Sequence, residues 1–252
     1  MKKRLLYLFT CMYLLLPFHI QGEEGFSQAL KISLTGKIYK NLSFTVEEDL
    51  RSAIDFSQLQ WLLGTAELNY KIHPRIKVGV AYMHLLNLYD NTQHRHRYLL
   101  YVTAKQPCGS FVFSVRERFQ STYAKHKKQP TSYLRSMLTL QYHIPKSDFY
   151  PFVYAETFNN TYRGSMALDR LRLSAGCDYR LNPRNQIQLY YRYHFLYAPD
   201  PVNAPQGIGL TFSHRFLMLL SFVHKKTGIP GSHYCYPGIP VTEPKNIYYF
   251  LK

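Results

Sequence analysis

From residue 42 onward the chain repeats one unit: a stretch of about ten residues in which apolar and polar side chains alternate, closed by a cluster of turn formers. The stretches are 42–52, 59–72, 75–86, 94–106, 110–122, 132–143, 149–159, 168–181, 186–197 and 207–216. A period of two is the mark of a β-strand, whose side chains leave opposite faces in turn. The connections alternate as well. Those at 72–74, 107–109, 144–148 and 182–185 are short, and those at 87–93, 123–131, 160–167 and 198–206 are longer and more polar. Transmembrane β-barrels join their strands in this way, with short periplasmic turns and longer extracellular loops. The predicted fold is therefore all-β: an antiparallel up-and-down transmembrane barrel of about ten strands, with ten to twelve allowed by the uncertain segments.

Alternation alone does not say which face meets water. In 168–181, Leu171, Leu173, Ala175, Cys177 and Tyr179 share one side, and Arg170, Arg172, Ser174, Gly176 and Asp178 the other. A soluble barrel would turn the apolar row inward, whereas a membrane barrel turns it outward. Three features favour the membrane. Tyr and Phe recur near strand ends, as an aromatic girdle requires. The strands are long for a soluble sheet. The segment 207–216 alternates and closes on Phe216, like the terminal strand that the barrel-assembly machinery engages. Composition agrees. Aromatics are 16% of the chain, with 23 Tyr, and charged residues only 18%, which excludes a disordered chain and disfavours a helical bundle. Glu48 and Glu117 fall on the apolar rows, which predicts a local bulge or a place near a rim.

The first 22 residues read as a signal peptide: Lys2, Lys3 and Arg4 precede a short apolar core, and Gly22 is a plausible cleavage site. No later window has the ~18 consecutive apolar residues of a spanning helix; the longest run is 216–223. Residues 23–41 are read as a lead-in to the first strand, 42–216 as the barrel and 217–252, with Pro230, Pro237, Pro240 and Pro244, as an irregular tail. Beyond the signal peptide Cys108, Cys177 and Cys235 remain, an odd number with no CxxC or metal spacing, so neither metal nor cofactor is expected.

The polar rows hold Glu47, Asp49, Glu67, Glu156 and Asp178 with Arg51, Arg97, Arg116, Arg118, Arg135, Arg170, Arg172, Arg192 and Arg215. Arginine carries a permanent charge and grips carboxylates with a rigid fork, so these groups are expected to cross-link strands as a lumen network. The plain role of such a network is structural, filling a narrow barrel. The sharper role is a narrow anion pore, because arginine outnumbers acid. A lipid-modifying enzyme of the outer membrane is the alternative. His84, His94, His96, His126, His143, His194 and His214 are available to it, but no serine accompanies them in a specific motif and no catalytic residue is assigned. A soluble periplasmic ligand-binding barrel is the other alternative. Arg95, Lys125, Lys127 and Lys128 sit in basic clusters at long connections and are candidate contacts for lipopolysaccharide phosphates. The formal charge of +16 would also suit nucleic acid, yet an export signal and the lack of a recognition motif set that aside. The expected protein is an outer-membrane monomer surrounded by lipid and lipopolysaccharide.

A family resemblance points the same way. It is carried by 44–48 (FTVEE), 79–82 (GVAY), 115–119 (VRERF), 151–156 (PFVYAE), 169–172 (DRLR) and 178–182 (DYRLN), in that order. Together these resemble the family called domain of unknown function 2490. The resemblance implies an outer-membrane β-barrel of Gram-negative bacteria and no known activity. Members would be expected to stop at the position of Phe216, whereas this chain continues to Lys252.

Overall fold

A computed structural model describes residues 26–52, 59–88, 94–125, 129–161, 166–197 and 206–216. The chain separates into a unit Met1–Leu219, which holds the barrel, and a unit Leu220–Lys252, which lies outside the described residues. The predicted signal peptide and the tail also lie outside them.

Eleven strands follow one another: β1 Phe26–Tyr39, β2 Leu42–Ser52, β3 Leu59–His73, β4 Ile76–Asn87, β5 His94–Cys108, β6 Phe111–Ala124, β7 Thr131–Tyr142, β8 Phe149–Asn160, β9 Ala167–Arg180, β10 Asn185–Leu196 and β11 Gln206–Phe216. Each pairs with its neighbour in sequence, and β1 closes on β11, so the sheet is a closed barrel. The ten predicted strands lie within two residues of β2 to β11. Among the described residues no helix is long and apolar enough to cross a membrane.

Two expectations are corrected. Residues 26–39 are not a lead-in but a full strand, which moves the start of the barrel from residue 42 to Phe26. The cause is visible in its alternation: Leu30, Ile32 and Leu34 face out, while Ala29 and Ser33 are buried. The strand count is then odd, and closure takes a different form. β1 runs parallel to β11, from Phe26 opposite Gln206 to Gly36 opposite Phe216, whereas every other pair is antiparallel. The second correction concerns the stray acids. Neither needs a bulge: the ladders run unbroken through Glu48 and through Glu117, which sits mid-strand on β6. Glu117 instead accepts a 2.7 Å hydrogen bond from the hydroxyl of Ser136 on the same outer face. The carboxylate of Glu48 lies beside the bare Cα of Gly64, its partner across the β2–β3 ladder.

The barrel is apolar outside and polar inside. Leu100 and Leu138 are 57% and 56% exposed, whereas Glu156 is 3% and Arg192 7% exposed. A buried Leu or Phe is worth about 1.5–3 kcal/mol over an exposed one, so strands that show such side chains all round need an apolar solvent. Aromatic pairs mark both ends of this wall: Phe111–Tyr142 and Phe149–Tyr179 toward the short turns, Tyr82–Tyr98 and Tyr98–Tyr123 toward the long connections. Bands of this kind are the interfacial girdles of membrane barrels. Of the short turns, 109–110 places Gly109 at φ +60°, a left-handed backbone that suits glycine.

Candidate functional site

The ladders bring the interior arginines into two adjacent cross-strand rows. One runs Tyr101–Arg118–Arg135–Phe158–Arg170 across β5 to β9. The next runs Thr103–Arg116–Met137–Glu156–Arg172–His194 across β5 to β10. These rows join five arginines to one carboxylate, because each strand presents its inward residues at the same height as its neighbour's.

Glu156 is the centre of the arrangement. Arg135 donates to its Oε1 through Nε at 3.0 Å and Nη2 at 2.7 Å, and Arg172 donates to Oε2 through Nη1 at 3.1 Å. Arg135 also donates to Gln120 Oε1 at 2.7 Å. The ring of Phe158 lies among guanidinium groups, with those of Arg170, Arg135 and Arg172 at 4.0, 4.3 and 4.9 Å from its centroid. An aromatic face attracts cations through its quadrupole, and here it helps hold like charges near one another. Arg116 and Arg118 both lie 5.7 Å from the ring of Tyr101, whose hydroxyl donates to Asn69.

The other predicted network residues occupy the inner rows in different company. Arg51 pairs with Asp49 on its own strand, at 2.7 Å, instead of bridging two strands. Glu47 takes Lys31 at 3.4 Å and Ser33 at 3.0 Å, both from β1. Glu67 accepts from Asn69 at 2.6 Å. Asp178 accepts from the amides of Gln141 and Gln188 at 2.8 and 2.7 Å. Arg97 donates to Thr122 at 3.0 Å, and Arg192 to Ser27 at 2.9 Å. Among the described residues Arg97, Arg116, Arg118, Arg192 and Arg215 have no carboxylate within ion-pair distance. The expected cross-strand forks between arginine and acid therefore form at Glu156, while most of the arginine charge is left to neutral partners. Among the described residues the buried Nε atoms of Arg118, Arg172 and Arg192 and Nδ1 of His194 have no hydrogen-bond partner.

Arg95 departs from expectation. Its guanidinium lies 5.0 Å over the ring of Trp61, a buried residue of the interior cluster with Leu63 and Leu85, and so turns away from surrounding lipid. The reason is parity: Arg95 is on the same row as buried Leu99 and Tyr101, while His94 and His96 face out. Lys125 is exposed beyond β6; Lys127 and Lys128 are outside the described residues. Lys31, Phe158 and Gln120 were missed by sequence reasoning. Lys31 fell in the supposed lead-in, and an aromatic or amide carries no sign of an ion network. Cys108 and Cys177 are free thiols, and Cys235 lies outside the described residues. Among the described residues no group of three or more His, Cys, Asp or Glu is arranged to hold a metal ion.

Comparison with solved structures finds distant likenesses. A NanC porin structure is 12% identical at a TM-score of 0.49, over 74% of this chain and 91% of that one. The outer-membrane expressed OmpT of Vibrio cholerae is 9% identical at a TM-score of 0.39, over 67% of this chain and 62% of that one. No curated protein matches. Residues 30–204 match the family described as "Protein of unknown function (DUF2490)". That match covers more than half of the chain, from the first barrel strand to the connection before the last, and on it the protein belongs to the DUF2490 family.

Proposed function

We propose that this protein is a non-enzymatic barrel of the bacterial outer membrane whose interior takes up and passes small anions. One observation carries the reading: rows spanning β5 to β10 place five arginines against a single carboxylate. Arginine cannot shed its charge when buried. Arginine-rich linings attract anions and repel cations. The Nε atoms of Arg118, Arg172 and Arg192, unpartnered among the described residues, are donors of the kind a carboxylate, phosphate or halide would take. The apolar outer wall with its aromatic bands supports an outer-membrane placement. Lys125, with the neighbouring Lys127 and Lys128, is positioned in sequence to meet anionic headgroups at the rim of long connections.

The test is conductance in a planar lipid bilayer under a KCl gradient. The reversal potential is expected to show preference for chloride, and Arg118→Ser with Arg172→Ser is expected to reduce it. A cation preference, or a barrel that folds but does not conduct, overturns the reading.

A further inference from the structure

A second site lies on the outer wall, at the rim of short turns and away from the interior arginines. It is a groove of about 320 Å³ whose floor is Ile76, Ala104, Phe113 and Val115, with His73, Arg75 and Gln106 at its upper edge. The ladders explain the shape. Ile76, Ala104 and Val115 are direct partners across β4, β5 and β6, and Gln106 faces Phe113 one step nearer the rim. Alanine between larger neighbours leaves a furrow running down the wall. Ile76, Phe113 and Val115 are exposed on the outer face, so the furrow opens to whatever surrounds the barrel.

The edge carries a fixed cation. Arg75 Nη1 donates to Gln106 Oε1 at 2.9 Å, which hangs the guanidinium over the furrow from the neighbouring strand. Its backbone is held at both ends: Arg75 N donates to His73 Nδ1 at 3.3 Å, and its carbonyl accepts from Lys105 N at 2.8 Å. Among the described residues no carboxylate pairs with Arg75. The same rim places Lys40, Lys146 and Arg184 in other short turns, against Asp148. An uncompensated guanidinium above an apolar furrow matches a molecule with a phosphate at one end and a hydrocarbon chain at the other. Basic residues at a membrane interface attract anionic headgroups.

We propose that this groove binds one phospholipid of the leaflet at the short-turn rim, with its phosphate on the Arg75 guanidinium and one acyl chain along Ala104. Short turns are periplasmic in outer-membrane barrels, where the leaflet is phospholipid, which is why phospholipid is chosen over lipopolysaccharide. The site owes nothing to the interior and stands whether or not the barrel conducts.

The test uses the full chain folded in a non-ionic detergent, titrated with phosphatidylglycerol and read by native mass spectrometry. Wild type is expected to retain one lipid at low lipid concentration. Arg75→Ala and Ala104→Phe, which fills the furrow, are each expected to weaken retention about tenfold, the scale of one charge-assisted hydrogen bond. Ala155→Phe, on the outer face of β8 away from the groove, is expected to behave as wild type. Equal retention by wild type, Arg75→Ala and Ala104→Phe overturns the proposal. Diacylglycerol held as tightly as phosphatidylglycerol removes the phosphate contact, and lipid A held in preference overturns the choice of lipid. Folding is checked by the heat-dependent gel shift; if Ala104→Phe fails to fold, Arg75→Ala, in an exposed turn, decides alone.

Discussion

At the scale of single residues, Glu156 is the decisive group. It is 3% exposed and accepts from both Arg135 and Arg172, which are themselves largely buried. A buried ion pair contributes little against a well-packed apolar pair, but removing one partner strands the other's charge. Here one deletion strands two guanidinium groups, beside Arg118 and Arg170. Glu156→Ala is therefore expected to destabilise the folded barrel by roughly 3–5 kcal/mol, read as a lower urea midpoint with unchanged slope. A loss below ~1 kcal/mol would mean that Phe158, Gln120 and bound anions hold the arginines without it. The sequence shows that Glu156 and the arginines share a face, because parity is local. It does not show that Glu156 takes two arginines from neighbouring strands while Asp178 takes two glutamines. That depends on cross-strand height, which one residue of stagger changes.

At the scale of elements, β2 to β11 were legible because alternation, length and turn chemistry agree in each. β1 was not, for two reasons. Its outward row is apolar at Leu30, Ile32 and Leu34 but is broken by Gln28 and Gly36, and an even count made a further strand look surplus. Its place depends on a partner 180 residues away, Phe26 lying opposite Gln206, and a parallel pairing of that kind leaves no local mark. Lys31 on Glu47 of β2, and the Ser27 hydroxyl donating to the Gln206 carbonyl of β11, tie it to both neighbours. The seam makes a direct prediction. With Cys108, Cys177 and Cys235 changed to Ser, Ser33→Cys with Ser213→Cys is expected to form an intrachain disulfide on mild oxidation in membranes, since the two are partners in register. Ala29→Cys with Ser213→Cys is offset by four residues, roughly 13 Å along the strand, beyond disulfide reach, and is expected to stay reduced. Equal cross-linking in both pairs, or in neither, would remove β1 from the barrel wall.

At the scale of the whole molecule, the alternating rows fix two surfaces and leave open which is outside; closure decides it. Eleven strands curled the other way would bury Leu100, Leu138 and Val153 and leave Glu156, Arg135 and Arg192 in water. The closed barrel does the reverse, so charges that would be ordinary on a soluble surface become an enclosed set that must satisfy itself or a ligand. The same inversion gives meaning to the outer wall, where the stray carboxylate of Glu117 needs Ser136 and the furrow at Ala104 needs a lipid. It also yields a measurement that separates a bilayer from water as the outer solvent. Leu138 is 56% exposed in the outward row of β7. On a protein surrounded by water, a charge placed at such a position changes stability by about ±0.5 kcal/mol. On the lipid face of a barrel, arginine near mid-depth costs roughly 2–4 kcal/mol. Leu138→Arg is expected to show the larger loss when folding into phosphatidylcholine vesicles is followed by urea titration. The gap is wide enough to decide: a loss within ~0.5 kcal/mol would put the outer wall in water and withdraw both the anion path and the lipid groove.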